Sequence, residues 1–394
     1  MSSVALVLFW VSMGVLAWVY LLYPLLARAY GRLLPMRLGT SGEPPHLVTV
    51  GLAVHDGASQ IVERITDIMA EPVPFTLEVV VASDGSTDAT GAIVSGMAAD
   101  DSRIRLLELS RRGQSAAQAA IFEAARGEVV VLTDIETRFA PGCLAALVAP
   151  FTDRRVGCAT GVLRWRWDAR TATARDEGLY WRYEQAVRAW ESRAGWLSAA
   201  TGALLAVRND LYRPAPAHAS LDQMLPLYCR QAGALVVLAE DAMGGDRGPA
   251  TLSEQMASRV RIATQGIEAN LRMSRHIVPW RQPGAFASLW SHKILRWASP
   301  WLGMIAAVSG AGLWFLSGDV GYGLVAALAV ATGLLALIGY AGARSGRTIP
   351  GTGFALTIVA VNLAFATAWL NVVTRRRVRA WDAPLRESGL PRRA

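Results

Sequence analysis

Apolar and polar positions along the 394-residue chain fall into two regimes. Val4–Ala27, Ala298–Ser317, Val320–Ala343 and Thr348–Thr374 contain no charged side chain, and each is long enough to cross a hydrocarbon core. Between them the pattern is that of a water-facing domain. Leu47–Val54, Leu77–Val81, Ile104–Leu107 and Val129–Leu132 are short β-branched or leucine-rich runs, which predict strands. Ala58–Met69 and Ser115–Ala125 show helical spacing between them. That alternation predicts βαβ units: an α/β domain with a Rossmann-like, mostly parallel sheet covered on both faces. Glu177–Glu191 and Leu225–Gln231 also read as helices. Asn270–Trp297 interleaves Arg272, Arg275, Arg281, Lys293 and Arg296 with Trp280, Trp290 and Trp297, which suits a membrane surface or an amphipathic helix packed on the domain.

The division expected is an N-terminal anchor over 1–30, a Pro/Gly-rich linker at Thr40–Pro45, and the α/β domain over 45–265. Interface helices over 266–297, a membrane region over 298–375 and a basic tail over 376–394 complete it. The first stretch has no basic residue before it, exceeds the apolar core of a signal peptide and lacks a small-residue cleavage site after it, so it reads as a retained anchor.

The net charge of +8 follows the membrane pattern. Arg28, Arg32 and Arg37 flank the first stretch, and Arg281, Lys293 and Arg296 precede the second, placing the middle domain on the cytoplasmic face of a multi-pass plasma-membrane protein. If all four stretches cross, Arg375, Arg376, Arg377 and Arg379 fall on the outer side, against the same rule. Either Pro350 and Gly351 open a re-entrant segment or Ala298–Ser317 lies in the interface, and the residues leave both open. Nucleic-acid binding is excluded, because Arg164-Trp165-Arg166-Trp167 is too short for a basic, aromatic-interleaved face. A transport path is disfavoured by the absence of ionisable groups inside the apolar stretches. Cys143, Cys158 and Cys229 are far apart in sequence, as suits reduced thiols. The five histidines lack zinc-ligand spacing.

Candidate chemistry lies at two strand ends. Ser83-Asp84-Gly85-Ser86-Thr87-Asp88 follows one strand and Asp134-Ile135-Glu136 another. In an open α/β sheet the crevice beyond the carboxyl ends binds ligands, and short acids there reach a ribose, a base edge or a metal. Asp88 is expected to cap the following helix, whereas Asp84, just before a glycine, is free for other work.

The order of Val79–Asp88, Asp134-Ile135-Glu136, Tyr180-Trp181-Arg182-Tyr183-Glu184, Thr201-Gly202-Ala203, Ser220–Pro226, Ser291-His292-Lys293 and Trp381-Asp382-Ala383-Pro384 resembles membrane-bound glycosyltransferase family 2, which includes cellulose, hyaluronan and exopolysaccharide synthases. The resemblance implies a GT-A fold, a nucleotide-sugar donor, with UDP expected, a Mg²⁺ or Mn²⁺ ion, and transfer with inversion. By position, Asp84 and Gly113 would contact the donor, and Asp134 and Glu136 would hold metal and diphosphate. Arg259 and Arg261 would sit near the leaving group, and Asp222 would be the general base. Hard oxygen ligands suit those cations, and single-step inversion needs a base opposite the leaving diphosphate.

The chain departs from the family pattern in several places. His55-Asp56-Gly57 replaces an Asn-Glu pair, Gly113-Gln114 replaces Gly-Lys, and Leu221 replaces the first of two acids. Ser258–Ile262 lacks the Q-x-x-R-W stacking tryptophan. Three readings follow: transfer to a membrane-associated or growing saccharide, with synthase or export subunits as partners; transfer to a polyprenyl phosphate; or a non-catalytic nucleotide-sugar-binding partner of a synthase.

Overall fold

The computed structural model describes residues 2–166, 172–216, 219–247, 252–345, 347 and 349–376. Trp167, most of the basic tail including Arg377 and Arg379, and the Trp381–Pro384 motif lie outside the described residues.

Eight strands form one sheet: β1 (Leu47–Val54), β2 (Thr76–Asp84), β3 (Ile104–Leu109), β4 (Val129–Thr133), β5 (Arg138–Phe139), β6 (Val156–Arg166), β7 (Leu205–Arg208) and β8 (Leu235–Arg247). Their order is β3-β2-β1-β4-β7-β6-β8-β5. The β3-β2-β1-β4 half is parallel, as the alternation of strand and helix predicts. The other half is mixed: β7 runs antiparallel to β4 and β6, β6 is parallel to β8, and β5 is antiparallel to β8. The mostly parallel expectation holds for the sheet, with four parallel pairings against three antiparallel ones, and the antiparallel ones all involve β5 or β7. The second half escaped because its strands are joined through long excursions rather than βαβ repeats.

The helices in chain order are α1 (Ser2–Ala17), α2 (Tyr23–Leu33), α3 (Ile61–Met69), α4 (Thr90–Asp100), α5 (Gln114–Ala124), α6 (Cys143–Val148), α7 (Ala172–Arg193), α8 (Leu221–Gln231), α9 (Leu252–Ser274), α10 (Pro283–Ala287), α11 (Leu295–Trp297), α12 (Ser299–Ser317), α13 (Val320–Arg344) and α14 (Thr352–Val373). The 265/266 division falls inside α9, which runs unbroken across it.

β1, β2 and β4 are apolar on both faces because helices cover both. Period-2 alternation sends Val79 and Val81 to a core with Ile61, Ile65, Ile68, Leu144 and Leu147, and Val80 to a second core with Ile121, Phe122 and Leu225. Leu52 of β1 pairs with Val81 on one side and Thr133 on the other, so β2 and β4 deliver Asp84 and Asp134 to the same edge of the sheet.

Four helical segments are long and apolar enough to cross a membrane: Ser3–Leu33, Ser299–Ser317, Val320–Arg344 and Thr352–Val373. The first continues through a π-helical stretch at Trp18–Leu22 into α2. The junction of the domain with the segment before α12 is ionic. Glu184 of α7 accepts from His292 Nε2 at 3.1 Å, Lys293 Nζ at 3.0 Å and Arg296 Nη1 at 2.5 Å. Glu191, one helical repeat on, faces His292 Nδ1 at 2.9 Å and accepts from Tyr23 Oη at 2.5 Å. His292 bridges the two carboxylates through its two ring nitrogens. Glu184 and Ser291–Lys293, from two of the singled-out motifs, are thus parts of one latch between α7 and the segment before α12, and Tyr23 of the first segment joins it.

Burial pushes the Glu184 carboxyl up, but Arg296, Lys293 and His292 outweigh it and hold the group well below its usual range. A depressed carboxylate contributes stability above its ordinary pKa, and that contribution is lost as pH falls below about 4.5. Glu184→Ala, which leaves these cations without their acid, should cost about 3–5 kcal/mol. Thermal unfolding of the detergent-solubilised protein, followed by tryptophan fluorescence, would show a lower midpoint at pH 7. An unchanged midpoint would mean the latch contributes nothing.

Candidate functional site

Asp84 ends β2 fully buried. Its Oδ1 accepts from Arg112 N at 2.7 Å and its Oδ2 from Gly113 N at 2.8 Å, so the carboxylate clamps the loop leading into α5. Gly113 takes φ +97° at the helix entry, a conformation a side chain would oppose. Its amide is already committed to Asp84. Asp56, at φ +52°, ties the β1 end to the next loop by accepting from Thr87 N at 2.7 Å and Asp88 N at 3.3 Å. Asp88 accepts from Thr90 N at 3.0 Å, the local capping bond expected of it, and from Ala58 N at 2.9 Å. This wall of the crevice is held by acids that spend their oxygens on backbone amides.

The opposite wall is different. Asp134 and the half-buried Glu136 leave β4 in a turn. Arg138 pairs with Gly245 across β5 and β8, which puts Asp246 beside that turn. The Asp134 carboxyl is pushed up to about 7, first by burial and then by Asp246, Asp222 and Glu136, with Arg261 pulling the other way. Four acids and one arginine therefore share a field at the carboxyl edge. Beneath them Arg64 is fully buried, donates to Thr133 Oγ1 at 2.8 Å and lies 4.1 Å from the Phe139 ring centre. Its Nε and Nη1 have no hydrogen-bond partner among the described residues.

Asp222 opens α8. Its Oδ1 accepts from Gln223 N at 2.9 Å and from the Ser220 hydroxyl. Its Oδ2 rests on Gly202, where any Cβ would collide with it. That loop is set from below: Arg188 donates to Thr201 Oγ1 at 2.7 Å and Thr160 Oγ1 at 3.2 Å. Thr201-Gly202-Ala203 thus floors the carboxylate of the Ser220–Pro226 motif.

Of the residues singled out in sequence, Asp134, Glu136, Asp222 and Arg261 come together at one end of the sheet. Arg259 lies about 200° from Arg261 around α9 and cannot share its direction. Asp84 and Gly113 form the other wall as a bonded pair. Asp246, Asp56 and Arg64 were missed. Asp246 carries a faint signal, a short acid after Gly244-Gly245; buried Arg64 carries none, because its amphipathic helix reads as an exposed arginine. Among the described residues no three acid, thiol or imidazole groups already form a closed metal-ligand set. The crowded carboxylates nevertheless fit a hard divalent cation, whose charge would relieve the field raising Asp134.

The mixed sheet, its strand-end acids and its helical cover define a GT-A-like α/β domain. Residues 49–213 match the family model for glycosyl transferase family 2. It is 37% identical over 102 residues to the succinoglycan biosynthesis protein ExoO of Rhizobium meliloti (strain 1021), a match covering 26% of this chain and 28% of that relative. Little more than a quarter of the curated relative's length is thus spanned. Among solved structures, the mannosyltransferase PcManGT from Pyrobaculum calidifontis, in complex with GDP-Man and Mn²⁺, superposes with a TM-score of 0.70 at 22% identity, covering 95% of this chain and 99% of that one. At that identity the likeness is one of fold, and it takes in the apolar helices as well as the sheet.

A carboxyl raised to about 7 binds its proton more tightly in the folded chain than in the unfolded one, between its ordinary 3.8 and 7. Ionising Asp134 therefore costs stability that grows as pH rises through that window, and nothing below it. In metal-free protein Asp134→Asn should raise the unfolding midpoint at pH 8, by on the order of 1–2 kcal/mol after allowance for solvent at the site mouth. It should leave the midpoint unchanged at pH 4. Equal effects at both pH values would refute the crowding.

Proposed function

We propose that this chain is a membrane-embedded, metal-dependent, inverting glycosyltransferase. It transfers a sugar from a nucleoside diphosphate donor to a membrane-associated or growing saccharide in cell-envelope or exopolysaccharide synthesis. The domain faces the cytoplasm, where such donors are made. The observation that carries the reading is the convergence of Asp134, Glu136, Asp246, Asp222 and Arg261 at the carboxyl edge of a family 2 domain. The succinoglycan relative and the structural neighbour that binds GDP-Man and Mn²⁺ support the substrate class and the cation.

Asp134 and Glu136 would hold Mg²⁺ or Mn²⁺, which when bound neutralises the donor diphosphate and its developing charge. Arg261 adds a fixed positive charge to the same oxygens. Asp222 takes the proton of the acceptor hydroxyl. Its Oδ1 is anchored by Ser220 and Gln223, so Oδ2 is the atom aimed for proton transfer, over the bare Cα of Gly202. Asp84 and Asp56 shape the nucleotide wall by fixing its amides.

General-base removal commonly costs 10²–10⁴ in rate. Asp222→Asn should lower sugar transfer by about that factor while nucleotide-sugar affinity changes less than about threefold. The assay is radiolabel transfer from a panel of nucleotide sugars by membranes carrying the protein, with binding measured separately. Gly202→Ala, which displaces the same carboxylate, should mimic it. Full activity in Asp222→Asn would remove the base assignment, and label confined to small organic-soluble lipid would redirect the acceptor to a polyprenyl phosphate.

A further inference from the structure

We infer that α14, although long and apolar enough to span, does not cross the membrane: it lies in the plane of the leaflet that faces the domain, with lipid as its outer partner. The inference is geometric and independent of the catalytic reading.

α1 and α12 form an antiparallel pair that sets the membrane normal. Tyr20 Oη donates to Ser299 Oγ at 3.1 Å at the domain end. Phe9 packs beside Gly310 and edge-on to Tyr322, with ring centres 5.0 Å apart, toward the far end. Three contacts then close a triangle. Gly310 abuts the Tyr322 carbonyl, Gly339 abuts Thr352, and Ser299 Oγ donates to Asn362 Oδ1 at 3.1 Å. At 1.5 Å per residue the sides are about 16 Å along α12 (299–310), about 26 Å along α13 (322–339) and about 15 Å along α14 (352–362). The α13 side is about 10 Å longer than the α12 side, so in this antiparallel pair Gly339 and Thr352 lie on the domain side of Ser299.

Beyond Asn362, α14 does not leave the domain. Val361, Phe365 and Ala368 pack on Ala263, Ile267 and Trp297, Trp369 Nε1 donates to Trp297 O at 3.1 Å, and Asn371 Nδ2 donates to Thr264 Oγ1 at 3.4 Å. Its start is held near the domain-side end of α13, and its finish is held by α9. Both ends therefore lie on one side of the membrane. Leu363, Leu370 and Val373 stay exposed on one side of α14, an apolar surface for lipid to cover.

Charge agrees. With α1, α12 and α13 crossing and α14 in plane, the exposed Arg344, Arg347, Arg375 and Arg376 join Arg28 and Arg32 on the domain side, and the turn at Ser317–Asp319 lies opposite. Three crossings thus satisfy the rule that four would break.

The test uses single-cysteine additions, since Cys143, Cys158 and Cys229 are buried. Arg32→Cys reports the domain side, Asp319→Cys the far side, and Arg376→Cys the end of α14. With a membrane-impermeant maleimide on intact cells, then on opened membranes, Arg376→Cys should follow Arg32→Cys and oppose Asp319→Cys. Labelling of Arg376→Cys together with Asp319→Cys would overturn the inference. Should any site stay unlabelled in opened membranes, C-terminal fusions decide: with the domain inside, fluorescence of a fused fluorescent protein supports the in-plane helix, and activity of a fused alkaline phosphatase contradicts it.

Discussion

Negative charge held at the carboxyl edge of the sheet is the constraint on which the rest of the site depends. Asp134 follows directly on β4, β8 brings Asp246 beside it, and α8 adds Asp222, so like charges are forced together in a partly desolvated crevice. Such crowding is unfavourable for folding alone. In the proposed reaction it would be put to use by a bound cation and the diphosphate of a donor, because a field already in place need not be built during the reaction. Arg64 below and Arg261 at the mouth are the protein's own partial compensation.

The two walls of the crevice divide the labour. Acids on the β2 side are saturated by amides from neighbouring loops and give rigidity. Acids on the β4 side crowd one another instead, which raises the Asp134 carboxyl. The same economy holds the domain to the membrane. Glu184 and Glu191 gather His292, Lys293, Arg296 and Tyr23 into one buried latch, so the anchor, α7 and the segment before α12 meet at one place. An in-plane α14 packed on α9 then ties the same helix that bears Arg261 to the bilayer surface. An acceptor carried by the membrane would meet the crevice from that side.

Much of this was legible in the residues. The parallel half of the sheet follows from β-branched runs separated by helical spacing, and the strand-end position of Asp84 and Asp134 follows from where those runs stop. The apolar stretches are visible by the absence of charge. Other features needed the third dimension. β6, β7 and β8 pair across long excursions, so no local period marks their mixed order. Asp84 looked like a ligand-facing acid, but its oxygens bind Arg112 and Gly113 amides, a long-range contact that spacing cannot show. Arg259 and Arg261 looked equivalent until the helix separated them. The conflict between four apolar stretches and the basic end of the chain was visible in sequence; its resolution required seeing that Thr352 sits beside Gly339 and Asn371 beside Thr264.

The most direct measurement is a structure of the protein with Mn²⁺ and a nucleoside diphosphate, the ion located by its anomalous scattering. The account predicts one peak in contact with the carboxylates of Asp134 and Glu136 and with the diphosphate, with Asp222 on the far side of the space a sugar would fill. A bound nucleotide with no cation at those acids, or a cation seated elsewhere, would contradict it.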